Sequence, residues 1–421
     1  MAFREHLGEA MHIATVDPIG GMREIALEQS GRTLVFDDIL GAPGHRAAMN
    51  ICMRHNLASN FDISESDVID VLGWAMNNRS ESVSYTGEAP VFENSIDPVD
   101  LNQLPIPQHW PEDRGRYMSA SIIIAEWGGN RNVSYHRQFV RDANHVVARL
   151  VPRHLRTMLN ESRAAGEPLP IAIVNGADPC VLLAAAMSFD EPIDELSVAA
   201  ALHERFYRQP LELVKLSNGI EVPADSEYAM AATITLMDDD EGPYVDITGT
   251  VDDVRQEPVI EIHSLHHRND PIFHAILPAG REHRALMGLP RAPTIKAAVS
   301  EVCTCTDVVM TDGGSGWLSA VVQIEPKSAG DANAAIMAAF AGHPSMKSVT
   351  IVDTDVDLAD PVRVEWALMT RWQPDRDTII LSNQRGSSLD PTRSEDGLTS
   401  KIGYDATIPF GRDRGPFTSV T

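Results

Sequence analysis

Short apolar runs separated by mixed segments dominate the last third of the chain. Residues 318–324, 348–352 and 378–381 are rich in apolar and β-branched side chains, which predicts three strands. Residues 331–341 and 362–370, which lie between these runs, are predicted to be helices. Strands that alternate with helices usually pair in parallel through right-handed crossovers. This part of the chain is therefore predicted to form an α/β domain.

Two further apolar runs predict strands earlier in the chain. They lie at residues 119–125 and 170–174. Before them, Pro105, Pro107 and Pro111 are clustered in a way that is typical of a linker. The clustered prolines therefore predict a domain boundary near residue 105.

Two N-cap signals predict helices in the middle of the chain. Asp178 precedes a helix predicted over residues 180–187, and Asp194 precedes one predicted over residues 195–207. Glu195 then lies in a first helical turn, where the helix dipole favours a negative charge.

One acidic stretch, residues 241–250, combines a turn signal with two carboxylates. A Gly-Pro pair follows Glu241, so one strand should end at Glu241 and another should begin near Tyr244. Alternation from there places Tyr244, Asp246 and Thr248 on one face. Two carboxylates at one site need a cation or a shared proton. The stretch therefore indicates either a site that includes an arginine or a solvated acidic turn.

Two other segments carry groups that could bind a ligand. Residues 128–138 contain asparagine, serine, tyrosine, histidine and arginine side chains, a composition that fits either a loop or a binding site. His263, His266 and His267 lie within five residues. In a strand, His263 and His267 would share a face, which allows either a metal site or ordinary hydrogen-bonded histidines.

The composition limits the class of protein. With 421 residues the chain is longer than a single core usually allows, so two or three domains are expected. Apolar residues make up 43% and charged residues 22%, as in folded proteins. The chain has 34 basic and 60 acidic side chains, and its formal net charge of −26 argues against binding nucleic acid or anionic lipid.

Cysteine usage and hydropathy give an expected location. The four cysteines, Cys52, Cys180, Cys303 and Cys305, include no Cys-x-x-Cys pair, which favours reduced structural thiols. The first residues lack a signal-peptide core, and no apolar run approaches the length of a membrane span. We therefore expect a cytoplasmic protein without a membrane partner.

Three motifs, taken in order along the chain, resemble those of the UbiD-type decarboxylases, a family that uses prenylated FMN. They are Asn132-x4-Arg137, Glu241-Gly-Pro-x2-Asp246-x2-Gly249 and Lys401-x3-Asp405-Ala-Thr407. The resemblance implies a multi-domain α/β fold. Its expected parts are an N-terminal α/β domain at residues 1–105, a central split β-barrel domain that binds the flavin at 106–305, and a C-terminal α/β domain at 306–421.

The resemblance also implies a set of cofactor and metal residues. Asn132, His154 and Glu195 would hold Mn²⁺ or Mg²⁺, which bridges to the cofactor phosphate, and their donor atoms suit such ions. Lys401 would meet the same phosphate. The remaining residues of the implied set are Ser134, Tyr135, His136, Arg137 and Arg153, with the backbone carbonyls near Ala184, Ala185 and Met187 as ligands of K⁺ or Na⁺.

Arg137, Glu241 and Asp246 match the catalytic arginine and two acids of the family. Asp246 takes a position that is often glutamate, so its reach is shorter. Arg137 can orient the substrate carboxylate and pair with Glu241, and Asp246 can protonate the carbon that loses CO2. The cofactor would supply the electron sink that no side chain provides.

The compact branch of the family is the most similar, and it implies two kinds of substrate. We favour a heteroaromatic acid such as an indole-, pyrrole- or furan-carboxylate. The alternative is anhydromevalonate phosphate, whose phosphate would need a basic cluster near Asp246, with Arg268, Arg281 and Arg284 as candidates. The resemblance also implies a homodimer and a flavin prenyltransferase that supplies the cofactor.

Two hypotheses of other classes stay open at this point. A non-catalytic flavin- or metal-binding module would need Asn132, Glu195 and Lys401 without the catalytic set. A metallohydrolase would use the three clustered histidines.

Overall fold

The structure, a computed structural model, describes residues 2–419 in two compact units. The first unit contains residues up to 63 and from 75 to 283, and the second contains residues 64–74 and those from 284 onward. The division into three domains at residues 105 and 305 stays a prediction. No helix among the described residues is long and apolar enough to cross a membrane.

The chain forms ten α-helices and twenty-three strands within residues 2–419. The helices are Gly21–Glu28 (α1), Arg54–Phe61 (α2), Val68–Met76 (α3), His154–Ala165 (α4), Pro179–Ala186 (α5), Glu195–Tyr207 (α6), Arg281–Gly288 (α7), Ala292–Ser300 (α8), Asp331–Gly342 (α9) and Pro361–Arg371 (α10). The strands are Met11–Ile13 (β1), Leu34–Phe36 (β2), Arg46–Met49 (β3), Val83–Ser84 (β4), Asn94–Ser95 (β5), Tyr117–Met118 (β6), Ile122–Trp127 (β7), Asn130–Tyr135 (β8), Gln138–Val140 (β9), His145–Ala148 (β10), Leu169–Asn175 (β11), Glu212–Lys215 (β12), Glu221–Pro223 (β13), Tyr228–Glu241 (β14), Tyr244–Val245 (β15), Val251–Asp252 (β16), Arg255–His267 (β17), Ile272–His274 (β18), Thr304–Met310 (β19), Ser319–Glu325 (β20), Ser348–Asp353 (β21), Thr378–Arg385 (β22) and Leu398–Asp405 (β23).

A nine-stranded sheet organises the first unit. Eight of its strands run in the order β6-β9-β10-β17-β14-β11-β7-β8, and β5 pairs with β17. Alternate residues on neighbouring strands, such as Ile123, Ile171 and Met230, belong to one buried cluster, as the period of two requires. On α4, buried residues recur at the spacing of a helix face, and Leu155 and Leu159 join the same cluster.

The fold confirms the predicted mixed α/β, multi-domain class, but the central sheet is not a closed barrel. Within residues 2–419, no pairing joins β6 to β8 at the two ends of the strand order. Three smaller sheets accompany it in the first unit, with the orders β1-β2-β3-β18, β13-β12-β4 and β15-β16. In place of the expected split barrel, the structure has an open, largely antiparallel sheet.

A five-stranded sheet with the order β19-β20-β21-β23-β22 forms the second unit. The pairs β20–β21 and β21–β23 are parallel, as the alternation of strands and helices predicts. The prediction is wrong for β22, which pairs with β23 in antiparallel fashion. Only residues 386–397, without an α-helix, connect these two strands, and a connection without a crossover helix favours an antiparallel pair.

Capping residues placed two helices correctly. Asp178 accepts a hydrogen bond from the Cys180 backbone nitrogen at the start of α5. Asp194 accepts one from the Leu196 nitrogen, so α6 begins at Glu195, as predicted. Each cap satisfies a backbone N–H group that has no partner within its own helix.

Glu282 ties α7 to the chain segment between β3 and α2. Its carboxylate, only 1% exposed, accepts hydrogen bonds from the backbone nitrogens of Asn50, Ile51 and Cys52 at 2.7–2.9 Å. His274 Nε2 lies 2.9 Å from Glu282 Oε1. Burial opposes the charge, but His274 and the backbone N–H groups outweigh it and lower the pKa of Glu282.

We expect Glu282→Gln to lower the free energy of unfolding by about 3 kcal/mol, because the amide NH2 would face backbone N–H donors in a buried site. Urea unfolding at pH 7 measures this loss, with Glu28→Gln on an exposed position of α1 as the control. A carboxyl group with a lowered folded pKa stabilises the protein above its unfolded pKa, and the contribution disappears as pH falls through the folded pKa. The difference between the two proteins should therefore shrink below about pH 4. An equal difference at pH 7 and pH 3 would contradict this interpretation.

Candidate active site

Three separate segments of the first unit converge on the Arg137 side chain. Arg137 lies between β8 and β9, Glu241 is the last residue of β14, and Asp246 follows β15 directly. Gly242 has a φ of 91°, and a Cβ there would come within 2.9 Å of the Asp253 carbonyl oxygen, so the turn after Glu241 favours glycine. The structure thus brings together the arginine and the two acids that the motifs single out.

Arg137 is the centre of a dense network of ion pairs. Its Nε and Nη2 donate to the two carboxylate oxygens of Glu241 at 2.9 and 2.8 Å, and Nη1 donates to Asp246 Oδ2 at 2.6 Å. Nη2 also donates to Asp252 Oδ2 at 2.9 Å. The Arg137 side chain is 8% exposed and that of Glu241 0%. Burial opposes the charge of Arg137, but the Glu241 hydrogen bonds and the three carboxylates raise its pKa.

Aromatic rings line the Arg137 guanidinium on one side. Its central carbon lies 4.6 Å from the centre of the Tyr244 ring, a cation–π distance. The Tyr244 ring is 4.5 Å from the Tyr117 ring, which is 5.5 Å from the Phe139 ring. Arg114 lies 4.7 Å over Phe139. We call these five side chains the arginine–aromatic stack, with an arginine at each end.

The prediction that Tyr244, Asp246 and Thr248 share one face of a strand is wrong. Strand β15 ends at Val245, and the Asp246 nitrogen and carbonyl oxygen bond to Thr250 and Gly249 in a turn. Asp246 therefore reaches Arg137 from a turn, where its Oδ1 accepts the Ile247 N–H at 2.6 Å.

Asp252 was missed by the sequence analysis. It lies on β16, which pairs with β15 as a small hairpin, so the chain returns to Arg137 six residues after Asp246. Asp252 Oδ2 also accepts a hydrogen bond from Arg255 at 2.6 Å. Burial raises its pKa, but the hydrogen bonds from the two arginines dominate and lower it. Thr248 and Gly249, between two short β-branched runs, are a hairpin signal that could have indicated this carboxylate.

Asp113 anchors the same hairpin. Its two carboxylate oxygens accept the backbone N–H groups of Val245 and Trp110 at 2.9 and 3.1 Å. Burial raises the pKa of Asp113 to about 6, although both hydrogen bonds favour the charged form. Asp113 thus holds β15 where it carries Tyr244 and Asp246 to Arg137.

A second polar group lies on β8 and at the start of α6. Residues 128–138 are not a plain loop, because β8 pairs with β7 along six residues and places Asn132 and Ser134 on one face. Glu195 on α6 is 4% exposed. Its Oε1 lies 3.0 Å from Asn132 Nδ2, and its Oε2 accepts a hydrogen bond from the Val133 N–H at 2.7 Å. Burial raises the pKa of Glu195 to about 8.

A hydrogen-bond chain continues from Asn132 to His136. Ser134 Oγ lies 2.9 Å from both Asn132 Oδ1 and His136 Nε2, and His136 Nδ1 lies 2.9 Å from the Arg149 carbonyl oxygen. Burial lowers the pKa of His136 to about 4, so the neutral ring donates from Nδ1 and accepts at Nε2. One serine hydrogen cannot serve both neighbours. Every contact is satisfied if the Asn132 amide is turned over and Glu195 carries a proton.

Other residues of the implied cofactor set lie apart from this chain or have different partners. His154 is the first residue of α4, and its Nε2 lies 3.4 Å from the Asp190 carbonyl oxygen. Arg153 precedes it and is exposed. The Tyr135 hydroxyl is buried without a hydrogen-bond partner among the described residues, and burial raises its pKa well above the usual range. Ala184, Ala185 and Met187 lie at the C-terminal end of α5.

Lys401 belongs to the second unit, on β23. Its ammonium group donates to the Pro344 carbonyl oxygen and lies 5.3 Å over the Phe340 ring. Burial lowers the pKa of Lys401. The roles assigned to all these residues from the resemblance stay predictions.

The three clustered histidines have separate contacts. His263 lies 3.0 Å from Thr233 Oγ1, His266 packs on Phe92, and His267 packs against His45. His263 is the extra residue of a β-bulge, so strand alternation does not carry across to His267. No group of three or more His, Cys, Asp or Glu side chains within residues 2–419 is placed to hold a metal. Nothing in this geometry favours the metallohydrolase.

A cleft of about 440 Å³ lies beside β8, at the turn between β7 and β8. Arg131 lines it and forms ion pairs with Glu126, Asp194 and Glu221 at 2.7–3.0 Å. This cleft adjoins the N-cap of α6 rather than the Arg137 cluster. Because three carboxylates surround one arginine, the cleft has a negative local charge.

Two parts of the chain match models of one protein family. Residues 83–281 match the UbiD domain described as the 3-octaprenyl-4-hydroxybenzoate carboxy-lyase Rift-related domain. Residues 284–406 match the C-terminal domain of the same carboxy-lyases. Together the two matches span most of the sequence.

Full-length relatives and solved structures agree with these matches. An anhydromevalonate phosphate decarboxylase of Methanosarcina mazei is 42% identical over 93% of this chain and 91% of its own. One of Archaeoglobus fulgidus is 39% identical over 98% of this chain and 95% of its own. The UbiD-class enzyme HmfF of Pelotomaculum thermopropionicum, solved with FMN, is 33% identical, with a TM-score of 0.94 over 100% of this chain and 97% of its own. The chain therefore belongs to the UbiD family and is a decarboxylase of that class.

Proposed function

We propose that this decarboxylase acts on anhydromevalonate phosphate with prenylated FMN as cofactor. The observation that carries the proposal is the similarity, over nearly the whole chain, to archaeal enzymes named for that activity. The sequence alone favoured a heteroaromatic acid, but acidic, arginine-rich composition does not separate the two substrates. The relatives support the phosphorylated acid instead.

The residues around Glu195 fit the metal that the family implies. Glu195 is a buried carboxyl group whose hydrogen-bond partners, Asn132 and the Val133 N–H, are neutral, so a divalent cation would replace its proton and compensate the charge of the carboxylate. Amide and carboxylate oxygens are ligands that Mn²⁺ and Mg²⁺ accept. His154 would complete the set, and the carbonyl groups at the C-terminal end of α5 would hold K⁺ or Na⁺.

The chemistry of the site follows from the Arg137 cluster. When bound, prenylated FMN supplies the electron sink for the electrons that CO2 leaves behind. Arg137 holds the substrate carboxylate by charge-assisted hydrogen bonds, with Glu241 fixing the guanidinium through two parallel contacts. Asp246 is 20% exposed, beside Arg137, and delivers the proton that replaces CO2 on carbon.

The arginine–aromatic stack has a guanidinium at each end, and so offers two cations to a substrate with two anionic groups. Anhydromevalonate phosphate carries a carboxylate and a phosphate. Arg137 would receive the carboxylate, and Arg114 the phosphate, because the described contacts of Arg114 are the Phe139 ring and the Asp240 carbonyl oxygen, both neutral. Of the candidates from the sequence, Arg268 and Arg281 donate to the carbonyl oxygens of Asp225 and Ser30, and Arg284 belongs to the second unit. Arg114 is preferred because it is the one that shares the stack with Arg137.

The test is release of CO2 by cofactor-loaded protein from anhydromevalonate phosphate, its dephosphorylated acid, and indole-, pyrrole- and furan-carboxylates. We expect turnover of the phosphorylated acid. We also expect Arg114→Ala to raise KM for that acid about tenfold, as loss of a charged contact to phosphate does, without changing KM for the dephosphorylated acid. Arg141→Ala, which removes an arginine paired with Asp239, is the matched control. Turnover of a heteroaromatic acid alone would refute the proposed substrate.

A further inference from the structure

Arg137 has little spare hydrogen-bonding capacity for a substrate. A guanidinium carries five N–H groups. Four of them are used, two by Glu241 and one each by Asp246 and Asp252. A substrate carboxylate held by two N–H groups must therefore displace one of the three resident carboxylates. Which carboxylate leaves depends on the hydrogen bonds and the cationic partner that each would lose.

Glu241 would lose most by leaving. Both of its oxygens contact Arg137, and its side chain is 0% exposed, so separation would bury an uncompensated charge. Asp246 has one oxygen on Arg137 and the other on the Ile247 N–H, and Arg137 is its cationic partner. Either departure leaves a carboxylate without a cation.

Asp252 would lose least. A single oxygen, Oδ2, is shared between Arg137 Nη2 at 2.9 Å and Arg255 Nη1 at 2.6 Å. Its other oxygen accepts the Asp253 N–H at 3.0 Å. Asp252 can therefore turn away from Arg137 and keep both a cation and a backbone donor. Its side chain is 19% exposed, so water can reach the vacated side.

We propose that Asp252 occupies the substrate-carboxylate position on Arg137 in the free enzyme and yields it when a substrate binds, while Arg255 retains Asp252. Asp252 is then a positioning residue. It holds the guanidinium ready and competes with the substrate for it, and Arg255 sets how strongly it competes. The proposal rests on the proposed function only in taking the ligand of Arg137 to be a carboxylate.

The test measures binding of 3-methylbut-2-enoate, a short unsaturated carboxylate, and of its uncharged amide, by calorimetry. The protein is the full chain, purified after coexpression with a flavin prenyltransferase. Asp252→Asn removes the competing charge at constant shape, and we expect about fivefold tighter carboxylate binding, the factor of one partly exposed ion pair. Arg255→Met should weaken binding about fivefold, because Asp252 then depends on Arg137. In the Asp252→Asn background the same change should have less than a twofold effect.

Asp253→Asn is the matched control, since it removes a neighbouring exposed charge that does not contact Arg137. Weaker or unchanged binding in Asp252→Asn, equal tightening in Asp253→Asn, or a parallel change for the amide would each overturn the proposal. If Arg255→Met does not fold by circular dichroism, the Asp252→Asn result decides alone. Turnover is not needed for this measurement: a protein that decarboxylates none of the tested acids but shows the expected binding pattern refutes the proposed function and supports the role of Asp252.

Discussion

Replacing Arg137 with methionine is expected to lower kcat/KM by about 10³-fold, because the substrate carboxylate loses the guanidinium that holds it in a buried site. The change also leaves Glu241, which is 0% exposed, without its cationic partner. The free energy of unfolding should therefore fall by about 3 kcal/mol. Steady-state CO2 release and urea unfolding measure the two effects.

Adding Glu241→Gln to Arg137→Met separates the effect on turnover from the effect on stability. Arg137→Met with Glu241→Gln removes the uncompensated buried charge, so stability should recover in part while turnover stays lost. Arg137→Lys keeps the charge but cannot make the parallel contacts to Glu241, so its turnover should also be low. Arg141→Met is the surface control. Turnover restored together with stability would mean that Arg137 has only a structural role.

The largest effect on turnover alone is expected for Asp246→Asn. The amide has the shape of the carboxyl group but cannot deliver a proton, so kcat should fall about 10³-fold while the visible absorption of the bound cofactor is retained. Asp246→Glu should keep kcat within about tenfold, because the longer side chain keeps an acid beside Arg137.

Asp238→Asn, at an exposed position paired with Arg163, is the control for loss of one charge from the same region. Normal turnover in Asp246→Asn would remove Asp246 from the mechanism. Loss of cofactor absorption in that variant would instead show that Asp246 is needed to form the cofactor-binding site.

Local signals in the sequence predicted those elements whose ends are set by one or two residues. The Gly-Pro pair ends β14 at Glu241 and allows β15 to begin at Tyr244, because neither residue suits the middle of a strand. The Asp194 cap placed Glu195 on the first turn of α6. The motif resemblance, rather than any local pattern, connected Arg137 with two acids more than a hundred residues away.

The predictions that were missed or wrong concern features that depend on contacts between residues distant in sequence. Strands β15 and β16 have two residues each, too few to show a period, so the return of Asp252 to Arg137 was missed. The polar strand β8 lacks an apolar run because one of its faces carries the Asn132 and Ser134 hydrogen-bond chain. The direction of β22 was wrong because β23, whose sequence is mostly polar, lies between it and β21.

The position of β23 has a consequence for synthesis on the ribosome. Although it is the last strand to be made, it pairs with β21 on one side and β22 on the other. A nascent chain that has released β19 to β22 still has two unpaired edges where β23 will lie, and such edges invite pairing with other chains. A stop codon a few residues before residue 398 should therefore yield an aggregating polypeptide rather than a shortened enzyme.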